Sequence, residues 1–238
     1  MEKIKNFAWN ILFPKFCANC GAEGTYLCPD CLSLIEIFER QYCPFCFSSR
    51  AVADGKTCRH CHRTKKLNGL FCATSYDNFI VKKIICQLKY EPFVRELARP
   101  LSSLIITHLA FLKKQSFFEN CLLIPIPLHI KKHKFRGFNQ AEEIAKKLSS
   151  VMKIPINDKA LIKIKKTPAQ TELNNKKRRE NIKNVFLCKQ PETIKNRRII
   201  LVDDVFTTGS TMEEVAITLK KSGAREVWGI AVARSRLN

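Results

Sequence analysis

The sequence predicts an α/β protein, a parallel sheet with flanking helices, preceded by a small metal-bound module. Three observations predict it. Apolar runs of strand length alternate with stretches of helical periodicity from about residue 69 onward. One run, Ile199, Ile200, Leu201 and Val202, breaks off at Asp203 and Asp204, then leads through Thr207, Thr208, Gly209, Ser210 and Thr211 into a helical stripe of Met212, Val215, Ala216 and Leu219. Eight cysteines within residues 17–61 form four Cys-x-x-Cys pairs.

The chain has 238 residues, enough for one domain of ordinary size and a small module, divided here into residues 1–66 and 67–238. Its 42 Lys and Arg against 21 Asp and Glu give a net charge of +21, so an anionic partner is expected. Nucleic acid is favoured over a membrane interior, because no stretch approaches the ~18 apolar residues of a spanning helix and the amino terminus lacks a signal-peptide pattern. Ile4, Phe7, Ala8, Ile11 and Leu12 make a short amphipathic helix, expected to pack on its own protein, with a peripheral membrane contact as the alternative.

The pairs are Cys17/Cys20, Cys28/Cys31, Cys43/Cys46 and Cys58/Cys61. Two residues between thiolates let both sulfurs reach one tetrahedral ion, and two such knuckles close a structural Cys₄ zinc site. Four knuckles make two sites. Pairing in chain order gives a tandem zinc ribbon and interleaved pairing a cross-brace; the tandem ribbon is the expectation, in a reducing cytosol. Redox-active dithiols are the competing use of such pairs. His60 and His62 are expected to be surface histidines, and Cys72, Cys86, Cys121 and Cys188 to be buried thiols.

The first strand is expected at residues 69–76. A helix follows over 78–90 with Val81, Ile84, Ile85 and Leu88 inward and Lys89 at its far end, where it can meet an anion. A second helix carries Val94, Leu97, Leu101, Leu104, Ile105 and Leu109. Residues 122–127 make a strand ended by Pro125 and Pro127. A basic loop with Lys131, Lys132, Lys134 and Arg136 then leads to a helix that turns Ala141, Ile144, Ala145 and Leu148 inward. That loop is a second place for phosphate, and Phe138 offers an aromatic face among the cations, a combination suited to single-stranded nucleic acid. Residues 165–181 form a long excursion between two strands, rich in cations such as Arg178 and Arg179, and are expected to act as a lid or to track a phosphate backbone. Gly223 is the candidate cap of the last helix, before a buried strand over 227–232.

The Asp203 to Thr211 stretch presents a helix start with free N–H groups and hydroxyls, suited to a phosphate. Its two carboxylates can accept hydrogen bonds from sugar hydroxyls or hold the waters of a hydrated Mg²⁺. A plain capped helix entrance is the competing reading. No Walker or Gly-x-Gly-x-x-Gly pattern occurs.

The stretch resembles the phosphoribosyl-diphosphate (PRPP) loop of type I phosphoribosyltransferases. With the four knuckles, Leu88-Lys89-Tyr90, Pro125-Ile126-Pro127, Arg136-Gly137-Phe138-Asn139-Gln140 and the series Thr167, Gln170, Leu173, Arg178 and Asn181, nearly the whole chain resembles the ComF family of competence proteins. The resemblance implies a type I phosphoribosyltransferase-like domain behind a double zinc ribbon. It places Asp203 and Asp204 on the ribose hydroxyls, Thr207, Thr208, Gly209, Ser210 and Thr211 around the 5′-phosphate, and Mg²⁺ with PRPP. Lys89, Arg136, Gln140, Gln170, Arg178 and Arg179 are its candidates for diphosphate or nucleic acid. It further implies handling of incoming single-stranded DNA on the cytoplasmic side of the inner membrane, with contacts to a DNA-translocating helicase and other uptake proteins. Active phosphoribosyl transfer to a nitrogen nucleophile, with release of pyrophosphate, is the alternative.

Overall fold

The computed structural model describes residues 14–46, 52, 55–165 and 184–235. In chain order the elements are α1 (Pro29–Ser33), α2 (Arg59–His62), β1 (Gly69–Ser75), α3 (Phe79–Lys89), α4 (Ala98–Phe111), β2 (Cys121–Pro125), α5 (Ile130–Arg136) and α6 (Gln140–Met152). The rest are β3 (Leu161–Lys163), β4 (Phe186–Cys188), α7 (Pro191–Ile194), β5 (Arg198–Phe206), α8 (Ser210–Lys221) and β6 (Glu226–Arg234). β1, β6, β5 and β2 lie side by side in that order as one parallel sheet, and β3 and β4 pair antiparallel as a separate ribbon.

Burial on both faces explains why the strands read as unbroken apolar runs. Alternation along β5 sends Ile200 and Val202 to the face covered by α3, α4 and α6, and Ile199 and Leu201 to the face covered by α8, β3 and β4. The helices meet the sheet through the expected stripes: Val81, Ile84, Ile85 and Leu88 of α3, Ala141, Ile144, Ala145 and Leu148 of α6, and Val215, Ala216 and Leu219 of α8 are fully buried. Asn78 caps α3 by accepting the Val81 N–H at 3.1 Å.

β1 is an edge strand, and the segment between the two cysteine groups covers it. Phe38 N donates to Ala73 O (2.8 Å), Thr74 Oγ1 donates to Glu36 O (2.6 Å), and Gln41 Oε1 accepts the Cys72 N–H (3.1 Å). Backbone groups that would otherwise template aggregation are thereby paired.

Three expectations need correction. The basic segment after β2 is a helix, α5, not a loop; Gly137 ends it in the left-handed region at φ 79°, where its N–H bonds His133 O. Phe138 is buried in the core and offers no aromatic face, because the turn between α5 and α6 drives it inward. Cys86 and Cys188 are only partly buried, unlike Cys72 and Cys121.

His108 of α4 is buried and neither ring nitrogen makes a well-formed hydrogen bond. Burial pulls its pKa down to about 4, with the Phe38 backbone opposing. A group depressed in the fold contributes stability above its unfolded pKa of ~6.5 and loses it as pH falls towards the folded value, here about 3 kcal/mol in all. His108→Leu is expected to remove this acid loss. Urea melts at pH 5 and pH 7 check it; a variant whose stability falls with acid as steeply as the wild type's would exclude His108 as the cause.

Candidate phosphoribosyl site and cysteine centres

β5 does not end at Val202, where the apolar run ends, but continues to Phe206. β2 stops at Pro125, opposite Val202, so from Asp203 onward β5 has a strand neighbour only on the β6 side. The two aspartates therefore sit where the sheet opens a crevice at its carboxyl edge, the usual ligand position of α/β sheets.

The two carboxylates are close enough to influence each other and Lys89. Asp204 is almost completely buried, and its Oδ2 lies 2.5 Å from Lys89 Nζ at the end of α3. The two form a buried ion pair. Asp203 Oδ1 accepts the Asp204 N–H at 2.9 Å. Burial and the neighbouring Asp204 charge hold Asp203 well above the usual carboxylate range. Burial acts the same way on Asp204, but Lys89 outweighs it and keeps Asp204 ionised. Lys89, despite burial, is held above its ordinary value by both acids.

Other side chains lie within electrostatic range of the pair. Arg136, at the end of α5, feels the Asp204 charge, while burial lowers its pKa. Lys163 of β3 is pulled down to about 8 by burial and by Lys132, with Asp203 opposing. Tyr76, just past β1, is raised to about 12 by burial and Cys86, with Lys89 opposing. Lys163 and Tyr76 were not among the sequence candidates. The signal for Lys163 was a lysine inside the apolar run Leu161, Ile162, Ile164; Tyr76 gave none beyond its place at a strand end.

Between β5 and α8 the turn is short. Gly209 caps α8 at φ 74°, and a Cβ there would lie 2.5 Å from the Phe206 ring. Glycine is required both by conformation and by space. Thr208 Oγ1 and Ser210 Oγ are 2.8 Å apart, and Ser210 N lies 3.4 Å from Thr208 Oγ1. Thr207, Thr208, Ser210 and Thr211 are all partly exposed around the helix start, whose first N–H groups have no intrahelical acceptor.

The Arg136 to Gln140 group is mostly architecture. Gly137 stops α5, Phe138 fills the core, and Asn139 caps α6 through the Ala141 N–H (3.1 Å) while donating to Ile126 O (3.0 Å). Gln140 is buried and accepts from Arg136 Nη1, which positions the guanidinium; Arg136 feels the charge of Asp204. Gln170, Arg178 and Arg179 lie outside the described residues, as do most of the excursion and the amphipathic segment before residue 14.

The cysteines group in chain order: Cys17, Cys20, Cys28 and Cys31 form one tetrad, Cys43, Cys46, Cys58 and Cys61 the other, with all sulfurs of a group within 4.8 Å of one another. This is the tandem arrangement. Cys20 and Cys28 sulfurs are 3.6 Å apart and those of Cys46 and Cys58 3.8 Å. A tetrahedron with Zn–S of ~2.3 Å has edges of about 3.8 Å, so the donor set fits zinc. Backbone N–H groups support the sulfurs, Cys28 N on Cys17 Sγ and Cys58 N on Cys43 Sγ, both at 3.4 Å. Burial and the neighbouring Cys58 and Cys43 push Cys61 up to about 12, as expected of thiols too close to ionise together without a cation. His60 and His62 are exposed and belong to neither group.

A parallel sheet with an acid pair at the carboxyl end of a central strand, a small-residue helix start and two cysteine tetrads define a type I phosphoribosyltransferase-like fold with zinc-ribbon modules. A family model for the phosphoribosyl transferase domain matches residues 136–236. The chain is 32% identical over 225 residues to Competence protein F of Haemophilus influenzae, covering 93% of this chain and 86% of that protein. It is 31% identical over 148 residues to DNA utilization protein YhgH of Escherichia coli, covering 61% and 64%, and 24% identical over 215 residues to Competence protein ComFC of Streptococcus pneumoniae, covering 89% of each. The chain belongs to the ComF family of competence proteins.

Proposed function

We propose that the chain binds PRPP with Mg²⁺ at the Asp203/Asp204 crevice and handles single-stranded DNA during uptake, in the cytoplasm at the inner face of the membrane. The observation that carries the first part is the acid pair at the open end of β5, with Lys89 on Asp204 and Arg136 and Lys163 within electrostatic range, beside the α8 start. Carboxylates suit ribose hydroxyls and Mg²⁺-bound water, the cations suit a diphosphate, and the helix start suits the 5′-phosphate. Zinc in the two tetrads is structural, since four thiolates leave no open coordination position. Among the described residues no helix is long and apolar enough to cross a membrane. A DNA-translocating helicase and other uptake proteins are the proposed partners, in keeping with the competence and DNA-utilisation names of the relatives.

The DNA reading is supported by α5, which carries Lys131, Lys132, His133, Lys134 and Arg136 and no acid. Its Phe135, 75% exposed, takes the role expected of Phe138, and it meets the Phe93 ring edge-on at 5.7 Å. Phe135→Ala is expected to weaken single-stranded DNA binding by about tenfold, since a stacked base contributes ~1–3 kcal/mol, without changing the salt slope. Lys131→Ala with Lys134→Ala should instead flatten the plot of log affinity against log salt by about 0.7 for each phosphate no longer neutralised. Salt-insensitive binding in the wild type would exclude this surface.

The same crevice supports transfer chemistry, because cations around a diphosphate stabilise departing pyrophosphate. Pyrophosphate release from PRPP across a panel of nucleobases, with and without single-stranded DNA, separates the two roles. Base-dependent release identifies an enzyme; PRPP binding without release identifies a ligand of the DNA-handling protein; no PRPP binding refutes both.

A further inference from the structure

We propose that the second cysteine tetrad forms the floor of the phosphate loop, so that metal loading at Cys43, Cys46, Cys58 and Cys61 sets the affinity of the crevice for a phosphate ester, with Phe45 as the positioning residue. The PRPP part of this rests on the reading of the crevice given above; the coupling itself does not.

Phe45 lies between two sulfur donors, and its backbone N–H supports the Cys43 thiolate. Its ring reaches under the loop: a Cβ on Gly209 would stand 3.0 Å from it. Lys65 Nζ lies 5.1 Å from the centre of the same ring. Two further ties join the knuckles to the site. Arg234 Nη2, at the end of β6, donates to Cys43 O (3.2 Å) and Pro44 O (3.4 Å), and its guanidinium stacks on Phe206, the last residue of β5, at 5.8 Å. Lys65 N bonds Cys61 O (2.9 Å), and the next two N–H groups, of Lys66 and Leu67, donate to the Glu213 carboxylate in the first turn of α8 at 2.9 and 3.1 Å.

The tetrad is thus tied to the strand before the loop, to the loop and to the helix after it. Gly209, left-handed between Phe45 and Phe206, has no free space beside it while both rings stay in place. Without the metal, residues 43–46 lose the anchor that presents Phe45, and the loop gains room to relax. The first tetrad differs, for Cys17, Cys28 and Cys31 are buried with Ile80 and Leu101 on the opposite face of the sheet.

The test uses the full zinc-loaded chain. Phe45→Ala is expected to keep both zinc ions, to weaken PRPP binding about tenfold and to speed amide hydrogen exchange across residues 207–212 in the absence of PRPP. Phe45→Leu, which restores apolar bulk, should recover the affinity to within about threefold. Cys46→Ser should lose one ion and show the same loop exchange. Tyr26→Ala, which removes an aromatic packed beside the first tetrad, should leave loop exchange unchanged. Unaltered exchange at 207–212 in both Phe45→Ala and Cys46→Ser would overturn the coupling, as would an equal effect from Tyr26→Ala. A wild-type chain that fails to bind PRPP would refute the ligand while the exchange measurements still decide the coupling.

Discussion

Asp203→Ala with Asp204→Ala is expected to abolish measurable PRPP binding while leaving binding of inorganic pyrophosphate intact or tighter. Hydrogen bonds to a charged group contribute about 1.5–3 kcal/mol each, so losing both acceptors for ribose hydroxyls weakens binding roughly 10²–10⁴-fold. Pyrophosphate has no ribose, and Lys89, freed from its 2.5 Å contact with Asp204, becomes available to it. Isothermal titration with each ligand checks this; equal weakening of both would mean that the carboxylates hold Mg²⁺ for the diphosphate and not the sugar. The fold must be controlled for, since removing one partner of a buried ion pair costs about 3–5 kcal/mol. Adding Lys89→Met removes the orphaned charge and should restore stability without restoring PRPP binding.

The acids differ in a way that pH reveals. Asp203, held well above the usual carboxylate range by burial and by Asp204, binds its proton more tightly folded than unfolded, so its ionisation costs stability as pH rises through the folded pKa. Asp203→Asn should therefore stabilise the protein at neutral pH while weakening the ligand site. For the same reason Mg²⁺-PRPP affinity should rise with pH, and binding should release a proton.

The sequence made the crevice legible at its centre and less so at its rim. The apolar run, the acid pair and the small residues leading to Met212 are local signals, and the structure sets them in order along β5, the turn and the start of α8. The strand nevertheless runs on to Phe206, because β6 keeps pairing with it after β2 has stopped, a fact held in residues far along the chain. Lys163 comes within electrostatic range of Asp203 only because the β3–β4 ribbon packs on the α8 face of the sheet, and no periodicity within residues 161–163 reports it. Phe138 is buried and Phe135 exposed for a similar reason: three residues apart around a turn, they are told apart by the left-handed Gly137, not by hydrophobicity. The cysteine spacing fixed the donors but not their grouping, which depends on how the knuckles dock against the sheet.

Stripping zinc from the intact chain should have the largest effect on stability. Structural zinc sites contribute about 10–16 kcal/mol each at neutral pH, as much as the whole stability of an ordinary domain. Besides the cysteines, the described residues of the ribbon segment before Thr57 bury only Leu27 and Ile35 among large apolar side chains, too little to hold it without metal. Its collapse would uncover β1, whose Cys72 and Ala73 backbone groups are paired by Gln41 and Phe38. The apo chain is therefore expected to lose the ribbon and to aggregate through the exposed edge, read by light scattering after chelation and reversed by zinc added before aggregation. Cys17→Ser with Cys31→Ser tests the grouping. Both residues belong to one tetrad, so the variant should retain one zinc ion per chain; loss of both ions would require the interleaved arrangement.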